Sequence, residues 1–416
     1  MTSKQARSAD MDHTAGRGLM LVMLVLAAMI NSADRGILSL ATPAIKAEFH
    51  FSDSELGLLG GLSFGVFYGL AALPIGYIAM RANRRSLLVA CMVFWSCSTA
   101  LTGLARGFGS LFVARSAVGM GEAGGLPLSL SLIASRYDVH ERAAASGWIT
   151  AGQSFGGIVG AWITGWLIAS AGWRSAFFVL GMPGLLLALV LWTTVAEPRL
   201  PSAEPVRLGT VLQVWRRPLM RELTIVFVLT SIVAYGSFSW MPSFFARQFH
   251  LGAAAIGLLS GVVVGFGNLA GALSAGQIVH HRGRSRAGFA MDVAGWISLM
   301  AVPAGIIGSF TTNLPLAVVM MAIASFASGA RTALFYAAAQ NSADHDTRPM
   351  VIAILASLTV LVGSSVGPVL IGVISDHAPG GIATALACSF ALPITIVFYC
   401  WSIARRLRAE DEASAA

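Results

Sequence analysis

The stretch FHFSDSELGLLGG (residues 49–61) and the stretch FHLGAAAIGLLSG (residues 249–261) decide the architecture. A shift of 200 positions (257 − 57) lays Phe49-His50 on Phe249-His250 and Gly57-Leu58-Leu59 on Gly257-Leu258-Leu259. Without a gap, Gly61, Gly65, Gly76, Ile78 and Arg84 then fall on Gly261, Gly265, Gly276, Ile278 and Arg284. Shared hydrophobicity would not align glycines together with the arginine beyond them, so the run signals an internal duplication.

Composition names the solvent in which the two copies fold. Of 416 residues, 56% are hydrophobic and only 11% charged, against about a quarter charged in soluble domains. Mean hydropathy is +0.75. Apolar stretches near the bilayer-spanning length of about 20 residues recur from end to end, and no large soluble domain fits between them. The spacing predicts spans at 18–40, 55–79, 87–105, 110–134, 143–169 and 175–195. Six more follow at 221–246, 253–280, 287–308, 315–340, 350–375 and 380–405. The fold class is therefore an all-α membrane protein of twelve spans, in two six-span bundles related by a pseudo-twofold axis. The bundles cover 18–195 and 221–405, with tails at 1–17 and 406–416. The first span holds Asp34 and Arg35 and lacks a small-residue cleavage site, so a removable signal peptide is not expected.

The net charge of +8 follows from topology. Arg81, Arg84 and Arg85 follow span 2; Arg136 and Arg142 follow span 4; Arg282, Arg284 and Arg286 follow span 8. The connector 196–220 carries Arg199, Arg207, Arg216 and Arg217 with Pro198, Pro201, Pro205 and Pro218, and reads as a cytoplasmic linker between the halves. Lys4, Arg7 and Arg17 begin the chain and Arg405, Arg406 and Arg408 end it, whereas the odd loops hold only Lys46, Arg106, Arg174 and Arg247. Basic even loops put both termini in the cytoplasm of a cell-membrane protein. The charges form no single patch, which excludes nucleic-acid binding. Cys91, Cys97, Cys388 and Cys400 all lie in apolar spans, so neither a disulfide nor a metal framework is expected.

Ionisable residues inside the spans point to function, because each costs at least about 2.5 kcal/mol at mid-membrane. Span 1 carries Asp34 and Arg35; span 4 carries Arg115, Gly119 and Glu122 on one face. Burial disfavours a charged carboxyl and a neighbouring guanidinium favours it, so a carboxyl that exchanges partners between two states binds and releases a proton. Asp34 is expected to pair with Arg115 or Arg35, and Glu122 to be the carboxyl that protonates. The shift of 200 maps these four positions onto Ala234, Tyr235, Pro315 and Ala322, so the second half lacks the charges. Its span 7 offers Tyr235, Phe238, Trp240, Phe244 and Phe245 as an apolar substrate wall, or alternatively as an interfacial belt. Arg331 is a candidate for an anionic group of the substrate, with snorkelling to the inner face as the alternative. Gln153 and Asn268 are candidate substrate ligands or interhelical hydrogen-bond donors. Asp292 and Asp376 read as structural residues at span ends. Gly57, Gly61, Gly65 and Gly69 form a smooth stripe on span 2, suited either to sliding against the other half or to static packing.

Several segments resemble the major facilitator superfamily. Gly76-Tyr-Ile-Ala-Met-Arg-Ala-Asn-Arg-Arg85 resembles its signature between spans 2 and 3, with an echo from Gly276 to Arg284. Arg115-Ser-Ala-Val-Gly-Met-Gly-Glu-Ala123, Gly172-Trp-Arg and Gly363-Ser-Ser-Val-Gly-Pro368 resemble further family segments. The Asp34-Arg35 pair with Gly119-Met-Gly-Glu-Ala123 is most similar to spinster-like transporters, whose eukaryotic relatives move sphingolipids or lysophospholipids. That resemblance implies alternating access, proton coupling through Asp34, Arg35, Arg115 and Glu122, and an amphiphilic or lipid-like cargo. It implies gating by Gly76, Arg81, Arg84, Arg85, Gly276 and Arg284. The chain also resembles anion:cation symporters of sugar acids, the alternative. Met80 and His280 stand where the signature has acids that latch the halves, which predicts a population biased toward the inward-open state.

No His-Glu-x-x-His pair, phosphate-cradling Gly-rich Lys loop or nucleophile elbow is present, so an enzyme is not expected. The expected partners are a small-molecule or lipid substrate and membrane lipids, the chain acting as a monomer. The proton is the coupling ion and no other cofactor is expected.

Overall fold

The computed structural model describes residues 3–195, 215, 218–282, 287–342 and 348–415, and among these the regular elements are all helices. The linker prolines Pro198, Pro201 and Pro205, with Arg199, Arg207, Arg216 and Arg217, lie outside the described residues, as do Arg284 and Arg286. We number the helices α1 (Ser3–Phe49), α2 (Asp53–Ala79), α3 (Arg84–Thr102) and α4 (Phe108–Arg136). Next come α5 and α6, fused as Val139–Thr194, then α7 (Pro218–Phe249), α8 (253–282), α9 (Ala287–Phe310) and α10 (Leu314–Ser342). Two more, α11 (348–377) and α12 (381–415), complete the chain.

Among the described residues, eleven continuous helices are long and apolar enough to cross a membrane. The fused helix of 56 residues would run about 84 Å, more than twice the hydrocarbon thickness. It breaks at Gly172, whose φ of 80° and ψ of 167° suit only glycine, so it makes two crossings and the total is twelve. Sequence reading places spans 5 and 6 on either side of this point. It misses the extra turns of α1, which runs to Phe49, and the break in α4 at Ala123 and Gly124.

The duplication reappears in the backbone. His50 and His250, matched by the shift of 200, follow the last turns of α1 and α7 with φ of 56° and 52°. Both are left-handed helix caps on side chains other than glycine, and His50 N–H bonds back to Lys46 O at 2.9 Å.

The chain divides into two compact units, Met1–Ile37 with Phe67–Glu204 and Leu38–Val66 with Pro205–Ala416. In the first unit a core of Met20, Leu24, Leu88, Trp95, Leu128 and Leu191 joins α1, α3, α4 and α6. Three glycines of α5 at a spacing of four, Gly152, Gly156 and Gly160, meet Val25, Met29 and Ala33 of α1 at the same spacing. A Cβ on Gly152 would lie 2.8 Å from Val25 Cγ1, and one on Gly160 2.8 Å from Ala33 Cα, so only hydrogen allows this approach. Gly121 of α4 admits Trp95 of α3 in the same way. These close packings fix the depth and rotation of the α1 and α4 faces that carry charge.

In the second unit the end of α1 and the start of α2 pack on the later helices. The glycine stripe of α2 faces α11: a Cβ on Gly57 would lie 2.7 Å from Pro368 O, and one on Gly61 2.8 Å from Ser365 O. The Ser39 hydroxyl donates to Phe238 O and Ser239 O at 2.9 and 2.7 Å. Asp53, 3% exposed, accepts from Arg247 twice, from Ser375 Oγ at 2.6 Å, and from Lys46 Nζ. Asp376 caps α2, accepting from the backbone N–H groups of Asp53 and Ser54 at 2.9 and 2.7 Å and from Ser54 Oγ at 2.6 Å.

Candidate functional site

In the first unit α1 and α4 bring four ionisable side chains together. Asp34 and Glu122 are 0% and 1% exposed and Arg115 3%. Arg35 Nε donates to Glu122 Oε2 at 2.7 Å, and its guanidinium carbon stands 5.5 Å from the ring centre of Tyr68. Thr99 of α3 donates to Asp34 Oδ2 at 3.3 Å. Arg115 lies within electrostatic reach of Glu122, Asp34 and Arg35, and the two carboxyls lie within reach of each other.

The four residues singled out from the sequence thus meet in one cluster, with Arg115 beside Asp34 and Arg35 on Glu122. In this state Arg35 bonds Glu122, and Asp34 accepts from Thr99 with Arg115 within electrostatic reach. Consecutive helical positions diverge by about 100°, so Arg35 turns to α4 while Asp34 turns to α3. Charge explains the burial: two guanidiniums and two carboxylates sum to zero, which lessens the cost of leaving water. A proton added to either carboxyl leaves the cluster at +1.

The other sequence candidates scatter. Gln153 lines a narrow cavity of the first unit with Asn31, Trp95, Gly125 and Ser129. Tyr235 and Phe238 of α7 are half-buried, and Tyr235 neighbours Tyr336 of α10. Trp240 is 2% exposed and its indole donates to Pro368 O at 2.8 Å, so its polar edge is spent inside the second unit. Phe244 and Phe245 are fully buried against Phe249, which excludes the interfacial belt. Asn268 packs on α10, its Oδ1 lying 2.8 Å from where a Gly329 Cβ would stand. Arg331 does not snorkel: it is 1% exposed, with Cys400 of α12 as its neighbour. Tyr336, five residues on, projects about 140° away, so Arg331 turns from the face that meets Tyr235.

Around the turn after α2, Gly76 is exposed with open space beside it, and Arg81 stacks over Tyr77 at 4.9 Å. Arg84 Nε donates to Ala79 O at 3.3 Å, and Arg85 reaches Val195 O at 2.8 Å. Met80 closes the turn through its N–H on Tyr77 O. Gly276 is likewise exposed with open space beside it, while the side chain of His280 and all of Arg284 lie outside the described residues. Sequence reasoning missed Asn31, Trp95 and Thr99 in the first unit and Asp53 in the second. Asn31 shares the face of Asp34 and Arg35 at i, i+3 and i+4, a signal present in the sequence.

Twelve crossings with a charged cluster inside one compact unit make the chain a polytopic membrane protein, and its family and relatives make it a transporter. The family profile of the Major Facilitator Superfamily matches residues 24–304, and the chain belongs to that superfamily. An MFS-type efflux pump of Mycolicibacterium smegmatis is 24% identical over 387 residues, 90% of this chain and 89% of that one. A probable galactarate/D-glucarate transporter of Bacillus subtilis is 33% identical over 193 residues, 45% of this chain and 42% of that one. The fold is that of a bacterial homologue of the human lysosomal transporter Spinster, crystallised inward-facing and unoccupied. The TM-score is 0.84 at 23% identity, over 95% of this chain and 98% of that chain.

Proposed function

We propose that the protein is a proton-coupled secondary transporter working by alternating access, and that its cargo carries an anionic group. The observation that carries this reading is the cluster of Asp34, Arg35, Arg115 and Glu122, two guanidiniums with two carboxyls and all but Arg35 buried. Taking up one proton there leaves one positive charge in a low-dielectric site, and an anion then becomes the favoured partner. Proton and anion enter together and leave together. Relatives named as galactarate/D-glucarate and L-galactonate transporters support a sugar acid or similar carboxylate.

A lipid-like amphiphile is the second reading, favoured by Tyr235 and Phe238, which stay half-buried on α7. The burial of Trp240, Phe244 and Phe245 weakens that wall. The protein works as a monomer in the cell membrane with both termini cytoplasmic, the proton being its one coupling ion. Met80 in place of the usual acid biases it toward the inward-open state.

Thermal stabilisation across sugar acids and lysophospholipids selects a cargo, and pH-driven uptake into liposomes then tests the coupling. Glu122→Gln should lose accumulation yet keep exchange of labelled for unlabelled cargo, which needs no net proton movement. An Asp34→Asn or Glu122→Gln protein that folds and retains full pH-driven uptake overturns the reading.

A further inference from the structure

The first unit holds a cavity that the charge cluster does not use. It opens among α1, α3, α4 and α5, with Asn31, Trp95, Gly125, Ser129 and Gln153 on its wall. Two buried donors on its lining residues have no acceptor among the described residues. Trp95 Nε1 belongs to a side chain 0% exposed, and Asn31 Nδ2 to one 6% exposed. Leaving such N–H groups dry costs about 1–3 kcal/mol each, so each calls for an acceptor oxygen that the described residues do not supply. About 10 Å³ is open to the centre of a water molecule, which is room for one water and too little for an organic cargo.

The position relative to Glu122 gives the cavity its use. Asn31 approaches Glu122 without completing a hydrogen bond, and Glu122 Oε1 also lacks a donor among the described residues. Arg35, Arg115 and Asp34 are the charged groups that face this carboxyl. Ser129 lies seven positions beyond Glu122 on α4, about 10 Å nearer the membrane face that holds both termini. Asn31 likewise precedes Asp34 on α1. The wall thus lies between the carboxyl and that face.

Resting on the coupling role proposed above for Glu122, we propose that Asn31 and Trp95 hold a water molecule that relays the proton between Glu122 and the terminus-side face of the membrane. The O–H bond of the protonated Glu122 breaks as an O–H bond forms on this water, and the water passes one of its other protons to solvent at the cavity mouth. The carboxylate left behind stays paired with Arg35. Uptake is the reverse.

Gly125→Ala is the sharpest probe. A Cβ there would meet Asn31 Nδ2 at 3.7 Å and the Trp95 ring at 3.8 and 3.9 Å, which are ordinary contacts, so the methyl fills the space without a clash. Trp95→Phe removes one donor. In the full chain in lipid nanodiscs, the Glu122 carboxyl stretch is followed by infrared absorption after a pH jump and identified by its loss in Glu122→Gln. Both variants should keep the band and slow its response by about tenfold or more. A titrating band with wild-type speed in both variants overturns the relay and leaves Glu122 as a coupling group. A wild-type protein with no titrating Glu122 band overturns the coupling role, and the relay with it. A second arm separates water from cargo as the oxygen source through exchange of the Trp95 indole N–H in D2O. Exchange with no organic solute present supports water. An indole that exchanges or shifts only when D-galactonate is added assigns the oxygen to the cargo and overturns the proposal.

Discussion

Arg247 closes on Asp53 with both arms, Nη1 at 2.6 Å from Oδ2 and Nη2 at 2.7 Å from Oδ1. The pair joins the end of α7 to the start of α2, and Lys46 and Ser375 complete the shell around the carboxylate. Asp53 is sealed while the Arg247 side chain is 30% exposed, so solvent screens part of the attraction. Arg247→Leu should therefore cost about 2 kcal/mol, below the usual loss when a fully buried pair is broken. Asp53→Leu should cost more, because three donors lose their acceptor. The double variant should be less destabilised than the two single costs added. Thermal unfolding in detergent measures all three, and strict additivity would remove the pair as the source.

The contact of α1 with α5 predicts a contrast between two glycines of one helix. A Cβ on Gly156 would collide with the Met29 backbone, whereas one on Gly147 meets nothing within 4 Å. Gly156→Ala should lower stability by about 1–3 kcal/mol through overpacking. Gly147→Ala should be neutral or raise it by about 0.5 kcal/mol, since alanine loses less entropy in a helix. Melting temperatures moving in the same direction for both would contradict the packing described.

Gly172 makes a third case, in which space is not the obstacle. Nothing lies within 4 Å of its missing Cβ, so the cost of Gly172→Ala comes wholly from φ of 80° and ψ of 167°. That conformation belongs almost only to glycine, and about 1–3 kcal/mol should be lost. Valine should cost more than alanine at the same site. Equal stability of glycine, alanine and valine proteins would show that the break sits elsewhere.

How far these features could be read beforehand depends on whether they are periodic. Hydropathy gave the number of crossings, and the aligned glycines and arginine gave the duplication that His50 and His250 repeat in their backbone. The members of the charge cluster were legible because each is improbable in a membrane. The bond of Arg35 to Glu122 was not, since residues 34 and 35 diverge on the helix and meet different neighbours. Asp53 follows Ser52, which caps α2, and nothing local in the sequence reveals Arg247 as its partner. For Arg331 a rare charge in a span announces importance but not direction, and its burial beside Cys400 appears only in the fold. Trp95 and Asn31 are ordinary residues whose unused donors appear only once the packing is known.

The charge count at the cluster sets the sign of a last prediction. With both carboxyls ionised the four groups sum to zero, and an anionic cargo gains little by approaching. With one carboxyl protonated the sum is +1. Anion affinity should therefore rise as pH falls, by about tenfold per pH unit where one proton is taken up with each anion. Glu122→Gln holds the cluster at +1 at every pH at which Asp34 and both arginines stay charged. Its affinity for D-galactonate or the selected carboxylate should equal that of the acidic wild type and stay flat. Arg115→Gln removes one positive charge and should weaken binding most at low pH. Calorimetric titration from pH 5 to pH 8 in detergent measures these slopes, and a wild-type affinity independent of pH would break the link between proton and anion.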